Sequence, residues 1–153
     1  MTLVNHAAAG AVIALTIKQP YLVIPLALIS HFVMDLIPHF GYPGHQGYKK
    51  ILRHRLTYFY LFLDLVGWIF LVWAMLGLSW LAYVAAFMAV LPDIGRDLWR
   101  ALFYYGLEKK GKPFRRGPLT KFHRWIQWCE RPWGFIVEVI IGAGLISLVW
   151  ELK

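Results

Sequence analysis

Residues 56–92 read LTYFYLFLDLVGWIFLVWAMLGLSWLAYVAAFMAVLP, without a lysine or arginine and with one acid, Asp64. As one helix at about 1.5 Å per residue the stretch would reach ~55 Å, well beyond a hydrocarbon core of about 30 Å. It has to fold back once. Leu76-Gly77-Leu78-Ser79 is the expected turn, which predicts helices near 56–76 and 79–92, the second running on at the interface through Tyr105.

Three more stretches lack lysine and arginine. Residues 1–17 carry no charge apart from His6, residues 19–48 carry Asp35, and residues 132–150 carry Glu138. They predict spans near 3–17, 20–38 and 132–150. The first is short and rich in Ala and Gly, which suits close packing inside a bundle. A cleaved signal peptide is its rival reading, and the lack of a basic leader region argues against that. Pro20 suits a helix start, Pro25 is expected to kink its helix, and Pro38 marks the exit. The expected fold is therefore all-α, an integral membrane bundle of about five transmembrane helices in a single domain over 1–153.

Composition agrees. Of 153 residues 59% are hydrophobic, and the mean hydropathy is +0.55, too apolar for an ordinary soluble domain. The aromatic and aliphatic content excludes disorder, and a single cysteine, Cys129, excludes a disulfide-stapled secreted fold. Lys+Arg outnumber Asp+Glu by 16 to 8, yet hydropathy argues against a nucleic-acid module.

The cations are unevenly placed. Lys49, Lys50, Arg53 and Arg55 lie in the 39–55 loop, and ten more lie in the 93–131 segment. Two short turns put both regions on one side, so the positive-inside rule places the N-terminus in the cytoplasm and the C-terminus outside a plasma (inner) membrane. From Thr120 onward, Phe122, Trp125, Ile126 and Cys129 share a helical face apart from Lys121 and Arg124. This predicts a cytoplasmic-side interfacial amphipathic helix that meets anionic membrane lipids, the expected partners.

Asp35, Asp64 and Glu138 stand inside apolar spans with no lysine or arginine beside them. Each must be protonated, hydrated or bound to a cation. At about 1.5 Å per residue Asp35 lies ~5 Å, His31 ~10 Å, Glu138 ~10 Å and Asp64 ~13 Å from the cytoplasmic ends of their spans, with His6 and Asp93 at the mouths of theirs. In Ser30-His31-Phe32-Val33-Met34-Asp35-Leu36-Ile37-Pro38-His39 a polar residue recurs every fourth position from His31, so one face is expected to carry all three, His31, Asp35 and His39. Imidazole and carboxylate four apart can clasp a divalent ion. The expectation is one or two divalent ions, Zn²⁺ first and Mn²⁺, Fe²⁺ or Mg²⁺ next, on His6, His31, Asp35 and Asp64. Asp93, His39 and Glu138 would complete a second site or act as base. Arg96, Arg100 and His123 are the best-placed groups for an anionic headgroup, since a guanidinium holds phosphate bidentately. Asp97, His45 and His54 read as surface groups, and Cys129, beside Glu130 and Arg131 at the interface, as inert.

His6-Ala7-Ala8-Ala9-Gly10, the Ser30-His31 to Pro38-His39 run and Leu91-Pro92-Asp93-Ile94 resemble short motifs of the small inner-membrane metal-dependent hydrolases of bacteria and archaea. The family's Leu-Pro-Asp-x-Asp run has Gly95 here at its second acid, and Arg115-Arg116-Gly117-Pro118 lacks the histidines of its His-Arg-Gly run. The resemblance implies hydrolysis of a membrane or phosphorylated substrate. It bears on His6 and Asp93, and more loosely on His31, Asp35 and His39. A cation or proton transporter would use the same side chains. However, the outer halves of the spans, such as Trp68–Trp80 and Ile141–Trp150, hold no titratable group, and a path needs two mouths. A lipid-binding assembly subunit is the third reading. It would tolerate alanine at His31 or Asp35.

Overall fold

A computed structural model of the chain describes residues 1–40, 55–99, 122 and 125–153, without the side chains of 56, 96–99 and 127. Among the described residues there are five long helices: α1 (Leu3–Ile17), α2 (Pro20–Asp35), α3 (Arg55–Met75), α4 (Trp80–Trp99) and α5 (Gly134–Glu151). Two-residue strands β1 (His39–Phe40) and β2 (Glu130–Arg131) pair in parallel, His39 with Glu130 and Phe40 with Arg131. The expected all-α architecture holds apart from this pair.

Two helices, Thr57–Met75 within α3 and Gly134–Glu151, are long and apolar enough to cross a membrane. The α2 helix ends at Asp35, three residues before the expected exit, because Pro38 drives the residue before it out of helical geometry. Conversely, α4 continues seven residues past Pro92. The stretch expected to continue it to Tyr105 lies outside the described residues, as do most of the interfacial helix and both His45 and His54.

The α1 helix is the axis of the bundle and packs against α2, α3, α4 and α5. Its Ala7, Ala8, Ala11 and Ala14 are buried, and α4 answers with Ala82, Ala85, Ala86 and Ala89. Small side chains let the two backbones approach closely. A Cβ on Gly10 would run into the Ala85 carbonyl. The α1–α2 turn puts Lys18 in the left-handed region, φ 62°, with its N–H donating to Ala14 O. The α3–α4 turn uses Gly77 at φ 82°, and the Tyr83 hydroxyl donates to the Met75 carbonyl at 2.7 Å. On α3 and α5 the outward side chains are large and apolar, among them Phe62, Ile69, Trp73 and Ile140.

Candidate metal centre

Three helices bring the imidazoles and two of the acids together. From α2, His31 and Asp35 project from one face, as the four-residue spacing requires. The α1 helix supplies His6, whose ring stacks on that of His31 with centroids 4.1 Å apart. Asp93 comes from the last turns of α4, just past Pro92.

One ligand atom from each of His6, His31 and Asp93 can lie within 4.8 Å of the others, and all three residues are buried. His6 Nε2 is 3.3 Å from Asp35 Oδ1, and His31 Nε2 is 3.5 Å from Asp35 Oδ2 and 3.9 Å from Asp93 Oδ1. Two ligands each about 2.1 Å from a tetrahedral ion stand about 3.4 Å apart. The two separations from Asp35 are close to that value, and the His6–His31–Asp93 group is looser, within 4.8 Å.

Hydrogen bonding selects the tautomer of His31. Its Nδ1 lies 2.9 Å from the Ala89 carbonyl oxygen. A carbonyl only accepts, so Nδ1 carries the proton and Nε2 keeps its lone pair toward the carboxylates. This is the arrangement by which an outer carbonyl orients a ligating histidine. Pro92 has no amide to give the Met88 carbonyl, and the same turns of α4 present both the Ala89 oxygen and Asp93.

Asp35 has a further partner that its span could not supply. The Met1 amino group donates to its Oδ1 at 2.8 Å, with both groups fully buried. Sequence reasoning sought a Lys or Arg and missed a main-chain terminus.

Asp64 and Glu138 sit elsewhere. Both line a cavity between α1, α3 and α5 to which none of His6, His31, Asp35 and Asp93 contributes. The Val4 main-chain amide faces Asp64 and that of Thr2 faces Glu138, so acids from two neighbouring helices meet the N-terminus of α1. That end has no capping side chain or first-turn acid of its own and is electropositive. Glu138 Oε1 also accepts from the Phe40 amide at 3.1 Å, and Asn5 Nδ2 donates to the Glu138 carbonyl oxygen at 3.0 Å. Asn5, a lone amide in an apolar helix beside His6, was the sequence signal for this second polar cluster.

His39 does not share the helical face of His31 and Asp35, because α2 ends at Asp35 before Pro38; it is buried at the β1 pairing. Its Nδ1–H donates to the Ile37 carbonyl at 2.8 Å, and Nε2 is buried with no hydrogen-bond partner among the described residues. Burial, with a lesser push from the Met1 ammonium, lowers its pKa to about 4, so at neutral pH the ring is an uncharged base. The Arg96 side chain, Arg100 and His123 lie outside the described residues. No family model, curated protein or solved structure gives a significant match to this chain.

Proposed function

We propose that the chain is an integral-membrane, metal-dependent hydrolase acting on a phospholipid or another anionic ester or phosphoester at the cytoplasmic leaflet. The observation that carries the reading is the buried His6–His31–Asp93 group with His31 Nε2 turned toward two carboxylates.

Membrane placement is supported by what α3 and α5 expose. The core helix of a soluble protein is mostly buried, whereas only 17% and 22% of the apolar windows of these two helices are covered. Side chains such as Phe62 and Ile140 would face water in a soluble monomer, a large cost that lipid removes. The Lys and Arg asymmetry of the loops supports an N-terminus in the cytoplasm.

His6, His31 and Asp93 would hold the ion, with Asp35 against both imidazoles. Nitrogen and carboxylate donors without thiolate suit Zn²⁺, with Mn²⁺, Fe²⁺ and Mg²⁺ as alternatives. A divalent ion there supplies Lewis acidity and acidifies bound water. Asp35, held by the Met1 amino group, would keep the imidazoles oriented and offset part of the ion's charge. The uncharged His39 is the best candidate among the described residues for a base. Arg96, Arg100 and His123 are proposed from sequence position to meet the anionic headgroup. The motifs resembling membrane metal-dependent hydrolases agree with this reading.

The test is metal analysis of the purified protein alongside hydrolysis of anionic phospholipid in liposomes, before and after chelation. Metal and activity should be lost together and return together when Zn²⁺ or Mn²⁺ is added back. Intact, folded protein with no stoichiometric metal would refute the proposal.

A further inference from the structure

The cavity between α1, α3 and α5 has a volume of about 330 Å³, within the range of small-molecule sites. It is polar along part of its length. Ring contacts of Phe59 with Phe135 and of Trp73 with Trp150 show that α3 and α5 run parallel. Asp64 and Glu138 therefore lie toward the same end. Phe70 and Ile146, which also line the cavity, are six and eight residues further on, about 9–12 Å along the helices.

At the polar end, Thr2 Oγ1, Asp64 Oδ1 and Glu138 Oε2 are buried and make no hydrogen bond among the described residues, while Tyr60 bonds to the Glu138 carboxyl group and Trp68 to that of Asp64. Glu138 is 3% exposed. Among the described residues no lysine, arginine or histidine lines the cavity. Phe70 and Val139, by contrast, are about half exposed, so the apolar wall opens sideways onto the outer faces of α3 and α5.

We infer that this cavity binds a single-chain membrane amphiphile with an uncharged hydroxyl head. Its chain lies along Phe70, Val139 and Ile146, its O–H donates to a buried carboxylate oxygen of Asp64 or Glu138, and its oxygen accepts from the Thr2 hydroxyl. An anionic head would meet two carboxylates, with the nearby Met1 ammonium already paired to Asp35. An ammonium head would have to shed its hydration in an apolar wall, a cost that hydroxyl burial largely avoids. The lateral opening makes the bilayer the source of the ligand. The inference rests on the membrane placement of α3 and α5 and is independent of the metal centre.

The test uses the full chain reconstituted in neutral phospholipid vesicles and photolabelled with a diazirine derivative of dodecanol, with sites mapped by mass spectrometry. Label should concentrate on 63–70 and 135–147, and excess dodecanol should compete it away. Dodecanoate and dodecylamine should compete about tenfold less well or worse, as a stranded or desolvated charge requires. Ala143→Phe and Ser147→Phe fill the cavity from its exposed side, so either should abolish the labelling. His31→Ala, which strips the metal group, should keep it. Label spread evenly over the outer faces of α3 and α5, insensitivity to both Phe variants, or equal competition by either charged amphiphile would overturn the inference.

Discussion

The His31 imidazole is locked to the Ala89 carbonyl through Nδ1 at 2.9 Å, which leaves Nε2 as the ring's only lone pair. Asparagine can reproduce the donor without the ligand. His31→Asn should therefore stay folded and lose metal affinity by about 100-fold or more, beyond the 10–100-fold typical of outer-shell changes. Isothermal titration with Zn²⁺ beside circular dichroism checks both halves. Unchanged affinity would remove His31 from the site.

Asp35 faces the Met1 amino group and both imidazoles from a fully buried position. Asp35→Asn leaves a buried ammonium without its counter-charge. The expected cost is about 3–5 kcal/mol of stability, typical of removing one partner of a buried pair. Denaturant titration in mixed micelles measures it, and a loss below about 1 kcal/mol would mean the pair is solvated, as surface pairs are.

Glycines divide by what surrounds them. A Cβ on Gly10 would meet the Ala85 carbonyl, and one on Gly134 would meet the His39 main chain, whereas Gly95 and Gly144 have nothing within 4 Å. Gly10→Ala and Gly134→Ala should each destabilise by about 1–3 kcal/mol through overpacking. Gly95→Ala and Gly144→Ala should be neutral or stabilising by up to about 1 kcal/mol, the difference in helix propensity. Thermal unfolding of the four variants separates the two groups.

His39 titrates near 6.5 when unfolded and about 4 in the buried site. Between these values the unfolded chain binds the extra proton, so this residue's contribution makes stability rise with pH across the window and fall on acidification. His39→Asn, which can still donate to Ile37, should flatten the dependence between about pH 6.5 and pH 4. Unfolding midpoints at a series of pH values test this, and an unchanged slope would rule His39 out as its source.

Much of the helix pattern was legible in sequence. The α1 helix spans the residues expected of it, Leu3–Ile17, and α3 begins one residue early at Arg55, because long uncharged runs bounded by cations and prolines have few other solutions. Ends set by cross-chain contacts were less legible. The β1–β2 pairing joins His39 to Glu130 across ninety residues of chain, and nothing local announces it. The Met1–Asp35 contact escaped for a similar reason, since a charge on the main chain carries no residue type to search for.

Sequence by itself determined how many apolar helices there are and how far along its own helix each polar residue sits. Both follow from helix rise and from the composition of uninterrupted runs. Which way each residue points around its axis was decided only by tertiary structure. The close Ala–Ala packing of α1 on α4 turns Asp93 toward His31. Asp64 and Glu138, from α3 and α5, reach the N-terminus of α1 and a separate cavity. Axial height is written in residue number, whereas azimuth depends on which small side chains let which backbones approach.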